Sequence, residues 1–200
     1  MIGSIIVVSL FVIGAICGFL GLLPEFILKG NYSIYALCGL MMCVGMTLGH
    51  DKDIVKKFRA LDPKMAILPL LTITGTLLGC AVISVFMSNR SLSDCMAVGS
   101  GFGYYSLSSV FITEYKGAEM GTIALLSNII RELSALMLAP LFVRFFGKLA
   151  PIAAGGATSL DTTLPAVAKF SGQDFLVLSM FHGVVIDFSV PFLVKLFCSF

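Results

Sequence analysis

The stretch Gly121-TIALLSNIIRELSALMLAPLFV-Arg144 decides how this chain folds. Both of its ends are apolar, yet Asn128, Arg131 and Glu132 lie near its middle. At 1.5 Å rise per residue, Glu132 sits roughly 16 Å along from Gly121, close to the midplane of a ~30 Å hydrocarbon core. A carboxylate at that depth is costly unless it faces a cavity or a partner. Such a residue points to a substrate or ion path.

Composition agrees. Of 200 residues, 58% are hydrophobic and 12% charged, with a mean hydropathy of +1.03. A soluble domain carries about 25% charged residues. The chain therefore reads as a polytopic membrane protein with no nucleic-acid partner. Six cysteines, at 17, 38, 43, 80, 95 and 198, lie in or near apolar runs. They form no CxxC pair and no Cys/His cluster with ligand spacing, so neither a disulfide framework nor a metal site nor another cofactor is expected.

Five long apolar runs cover Ile2–Leu23, Tyr32–Gly49, Met65–Met87, Gly121–Phe146 and Phe175–Phe197. A sixth, Leu92–Thr113, is interrupted by glycines, and a seventh, Pro151–Phe170, is polar in its middle. The expected fold is an all-α integral membrane protein of six to seven membrane segments, two of them discontinuous helices. It forms one transporter domain over 1–200, with a three-helix unit in 1–90 and a core in 91–200 carrying the breaks and an acidic pair. The first run has no basic stretch before it and exceeds a signal-peptide core, so it is read as a retained helix. The loop Asp51–Met65 carries Lys52, Lys56, Lys57, Arg59 and Lys64, which places it on the cytoplasmic side of the membrane. Arg144 and Lys148 then lie on the outer side, against that rule.

The interruptions carry the functional signal. In Val98-GSGFGYYSLSS-Val110, glycines at 99, 101 and 103 precede Ser106, Ser108 and Ser109, a run too weak for an uninterrupted helix. Small-residue helix packing is one account of it, and an unwound, ligand-facing backbone the other. In Ala154-GGATSLDTTL-Pro165 and on to Lys169, two glycines, four hydroxyl residues around Asp161 and a proline break any helix. A plain extracellular loop is the simpler account. Broken helices at membrane depth are tolerated only inside protein or beside a water-filled cavity, and transporters build substrate sites from them.

Asn128 and Glu132 are four apart and share a helix face. Arg131 and Glu132 point about 100° apart, so each needs another partner. Asp161 is the natural one for Arg131, which leaves Glu132 open to a cation; a buried salt bridge without a transport role is the alternative. Ser106, Thr158, Ser159 and Thr162 would complete a polar lining. His182 titrates near neutral pH and, with Asp187 five residues on, is a candidate proton relay. A lone membrane histidine more often hydrogen-bonds a neighbour. Pro191 is expected to end or kink the last helix. Glu114, Lys116 and Glu119 read as solvated, and Tyr104 and Tyr105 as lining a site or anchoring an interface.

The second half resembles the lysine exporters of the LysO type. The resemblance is carried by SGFGYYSLSS (100–109) followed by TE, RELSALMLAP (131–140), GGATSLDTTLP (155–165), FHG (181–183) and VPFLV (190–194), in that order. Leu37-CGLMMCVGMTLG is similar to the family's glycine-bearing helix before its basic loop. The resemblance implies export of L-lysine and toxic analogues across the bacterial inner membrane by proton antiport. It also implies that two intramembrane acids correspond to Glu132 and Asp161. Asp187 lies outside the family's acidic pattern. The chain is shorter than typical members, so a short membrane partner supplying N-terminal helices, or a second copy, is expected.

Three other classes fit the residues less well. One is a sodium-coupled carrier of an organic anion, with Arg131 holding the carboxylate. Another is an intramembrane enzyme using His182 with Asp161 or Asp187, although GxGD and HExxH are absent. The third is a non-catalytic subunit of a membrane assembly.

Overall fold

The computed structural model describes residues 65–87 and 89–200, together with 13–14, 16–21, 42, 46 and 56. The expected helices Ile2–Leu23 and Tyr32–Gly49 and the basic loop fall largely outside the described residues, and the chain's orientation with them. The chain divides into two compact units, Met1–Asp51 and Lys52–Phe200. The long helices among the described residues all belong to the second unit.

The described residues are helical, with no strand among them. A 3-10 turn, Met65–Ile67, leads into α1 (Leu68–Phe86), with Pro69 at its first turn, where a missing N–H costs nothing. Then come α2 (Leu92–Gly99), α3 (Tyr105–Lys116) and the 29-residue α4 (Ala118–Phe146). Next are α5 (Ala150–Gly155), a 3-10 turn (Gly156–Leu160) and α6 (Leu164–Phe170). The last is α7 (Leu176–Cys198), which continues past Pro191 rather than ending there.

The sixth and seventh apolar segments do not cross the bundle. If Leu92–Lys116 were a crossing helix, Asp94 and Lys116 would lie about 33 Å apart at 1.5 Å per residue. Instead Lys116 Nζ is 3.2 Å from Asp94 Oδ1, and Arg90 pairs with Glu119. So α2 goes in, the chain turns at 100–104, and α3 returns to the same end. Lys116 and Glu119 tie this end together, with Glu119 still exposed as expected. Ser91 fixes the entry through a capping box with Asp94.

The second interrupted segment repeats the arrangement from the opposite end. Leu68, Ile152, Val167 and Leu178 form one core cluster, with Leu149 and Phe175 packed on it. The starts of α1 and α7 and both arms of α5–α6 therefore gather at that end. Lys148 sits 5.7 Å over the Phe175 ring there. In the described residues α1, α4 and α7 are the three long helices. Among the described residues the two discontinuous segments are hairpins that turn back to the end they enter from.

Leu68–Phe86 and Gln173–Cys198 are long and apolar enough to cross a membrane, at hydropathies of 2.0 and 1.8. At about 43 Å, α4 exceeds the same ~30 Å core. Leu78, Val82, Val85 and Phe86 of α1, Phe145 and Phe146 of α4 and Phe188 and Phe192 of α7 are exposed. Large apolar surface left uncovered on three helices suits a lipid surround better than water.

Candidate functional site

The two hairpin tips meet. Ala157 N–H donates to Phe102 O at 2.9 Å. Gly156 makes this approach feasible: its φ is +63°, and a Cβ there would collide with the Phe102 carbonyl oxygen. Phe102 itself adopts φ +45°, a rare conformation for a side-chain-bearing residue. The Gly-rich stretch is thus unwound at 100–104, with its freed backbone groups bonded to the other hairpin and to Asn128, while Gly99 and Gly101 also pack closely against Cys80 and Asn128.

α4 supplies the floor of the crossing. Asn128 is buried and uses both ends of its amide. Oδ1 accepts from Gly103 N–H at 2.7 Å, while Nδ2 donates to Ala124 O at 2.9 Å and Val98 O at 3.3 Å. It locks the first hairpin's tip rather than lining open space.

Arg131 departs from expectation. Its Nε donates to Ala154 O at 2.9 Å and its Nη2 to Ala153 O at 3.1 Å. Nη1 reaches Thr76 Oγ1 at 3.4 Å, and the guanidinium stands 5.7 Å from the Phe102 ring centre. These carbonyls lie at the C-terminal end of α5, where a helix leaves acceptors unpaired and favours a cation. The expected Arg131–Asp161 ion pair is not formed, because the broken helix offers better-placed acceptors. Among the described residues no ion pair involves Glu132, Asp161 or Asp187.

Glu132 is 7% exposed and lies beside Thr162 and within electrostatic reach of Asp161. Asp161 and Thr162 sit in the turn between the 3-10 segment and α6, and both are exposed in the described chain. Tyr105 is in reach of both acids; Tyr104 is in reach of Asp161 and Asp187. The tyrosines therefore line the acidic region. Ser106 is half-buried in the first turn of α3. Thr158 is turned inward, its hydroxyl donating to Gly155 O at 2.9 Å.

Ser159 and His182 hold the second tip. The single Ser159 hydroxyl proton has two carbonyl acceptors, Gly156 O at 2.7 Å and Ser179 O at 3.1 Å. Its oxygen therefore accepts from His182 Nδ1–H at 3.0 Å, and Nε2 accepts from the Thr72 hydroxyl at 2.9 Å. Both ring nitrogens are thus occupied. His182 is fully buried and serves as a brace; Asp187 is not among its hydrogen-bond partners. Thr72 and Thr76 were not among the residues the sequence singled out. Their spacing of four, which puts both on one face of a largely apolar helix, was the available signal.

Two broken-helix tips meet beside Glu132 and Asp161 in an apolar helical bundle, an arrangement of the kind from which membrane transport proteins build binding centres. The chain belongs to the lysine exporter LysO family, whose model matches residues 8–198. Lysine exporter LysO of Escherichia coli (strain K12) is 32% identical over 167 residues, covering 84% of this chain and 55% of that protein. A candidate lysine exporter of Haemophilus influenzae is 33% identical over 168 residues, covering 84% of this chain and 85% of that protein. The chain thus spans about half the length of the Escherichia coli relative. No solved structure matches it.

Proposed function

We propose that this chain exports a cationic amino acid, L-lysine first, across the bacterial inner membrane in exchange for protons. One observation supports the reading above others. Glu132 and Asp161 stand together at the hairpin crossing, and the nearby cation, Arg131, is engaged by carbonyls instead. Among the described residues neither carboxylate has an ion-pair partner, which suits an ammonium ligand or a proton. The same engagement of Arg131 weighs against an organic-anion carrier that depends on its guanidinium. In this cycle Glu132 and Asp161 release protons to bind the substrate and regain them after it leaves. Asn128, Arg131 and His182 keep the tips in register.

Everted membrane vesicles test the reading. Labelled lysine should accumulate when an inward-acidic gradient is imposed, and a protonophore should abolish this. Accumulation that follows a sodium gradient and ignores the protonophore would replace protons with sodium. No lysine movement at all would remove the substrate assignment.

A further inference from the structure

The two hairpins and the helices after them are related by inversion. The first hairpin enters from the Arg90 end and is followed by α4; the second enters from the Phe175 end and is followed by α7. Each long helix locks its own tip with an uncharged polar side chain. Asn128 holds Gly103 at 2.7 Å, and His182 holds Ser159 at 3.0 Å. Four residues beyond Asn128, one turn on, Glu132 reaches the other hairpin's tip at Thr162 and Asp161.

The second half also carries an acid on its long helix, Asp187. Gly183 presses against the second tip so closely that a Cβ would lie 2.6 Å from Leu160 N and 3.0 Å from Ala157 O. Asp187 is four residues beyond Gly183 on the same helix face, and five beyond the locking His182, so its spacing differs from that of Asn128 and Glu132. There it comes within electrostatic reach of Asp161 and of Tyr104, in the first tip. An independent feature marks the same place. The Tyr104 hydroxyl oxygen is buried without a hydrogen-bond partner. A buried hydroxyl left unpaired costs about 1–3 kcal/mol, so a missing partner is implied.

We propose that Asp187, with Asp161 and the Tyr104 hydroxyl, forms a second ammonium subsite. This rests on the cation-export reading and deepens it. One substrate ammonium lies between Glu132 and Asp161, the other between Asp161 and Asp187. The site then selects molecules with two positive charges over those with one. Asp187 is a specificity-determining residue, and Tyr104 donates its hydroxyl to the shared carboxylates.

The test is equilibrium binding to the purified full chain, read as a preference within each variant. The probes are L-lysine, 6-hydroxynorleucine, which lacks the side-chain ammonium, and 6-aminohexanoate, which lacks the α-ammonium. Wild type should bind lysine more tightly than either single cation. Asp187→Asn should shrink lysine's advantage over the better single cation about tenfold, the scale of one charge-assisted contact. Asp187→Glu should restore most of it. Tyr104→Phe, which removes one oxygen, should give a smaller loss in the same direction and serves if Asp187→Asn does not fold. Equal weakening of all three probes by Asp187→Asn, or no change, overturns the subsite while leaving export standing. A wild type that binds lysine with no preference over either single cation also overturns it. A wild type that binds none of the probes overturns both.

Discussion

The amide of Ala157 donates to the carbonyl of Phe102 across 2.9 Å, and these residues belong to hairpins that enter from opposite ends of the bundle. That bond fixes where the unwound backbone of one segment crosses the other. Around it α4 and α7 bring side chains from both halves to one depth.

Re-entry is testable by cross-linking. Asp94→Cys with Lys116→Cys, in a background without other cysteines, should be joined readily by a short bifunctional thiol reagent. A crossing helix would hold the two positions about 33 Å apart, beyond such a reagent. Absence of any cross-link in folded protein contradicts the hairpin.

Gly156 should tolerate no side chain. Its φ of +63° and the Phe102 carbonyl against it leave no room for a Cβ. Gly156→Ala should cost about 1–3 kcal/mol from backbone strain alone and should abolish transport. Normal melting and normal transport in that variant contradict the crossing.

Arg131 and Asp161 should be energetically independent. Arg131→Gln removes a cap from the Ala153 and Ala154 carbonyls and should destabilise by about 1–3 kcal/mol. Adding Asp161→Asn should change stability additively, within about 0.5 kcal/mol. Compensation of one by the other would restore the ion pair that the sequence led one to expect.

His182 should matter for stability and not for proton movement. Its ring bridges Ser159 and Thr72. Thr72→Val, which removes one end of the bridge, should lower stability by about 1 kcal/mol. The pH dependence of transport should keep its shape in Thr72→Val. A moved pH midpoint would make the histidine a relay after all.

Much of this was legible in the chain itself. The position of Glu132 midway along α4 follows from the apolar run around it, and both breaks from glycine and proline placed where apolar helices should continue. The re-entrant path was not legible. An apolar stretch of that length looks the same whether it crosses or turns back, and the deciding contact, Asp94 with Lys116, joins residues read as opposite ends. The partner of Arg131 was missed for a related reason. Side-chain charge is visible in a sequence, whereas the carbonyls freed by a helix end are not. Thr72 and His182 lie 110 positions apart, and no local pattern links them.

The central claim is that Glu132 binds the transported cation. Lysine binding to the purified full chain should be measured beside its Glu132→Gln variant, with melting temperature recorded for both. Glu132→Gln keeps the side chain's shape and removes its charge. It should weaken binding about tenfold or more, the loss of one charge-assisted contact, with melting unchanged or raised. A folded Glu132→Gln protein that binds lysine as tightly as wild type would contradict the account.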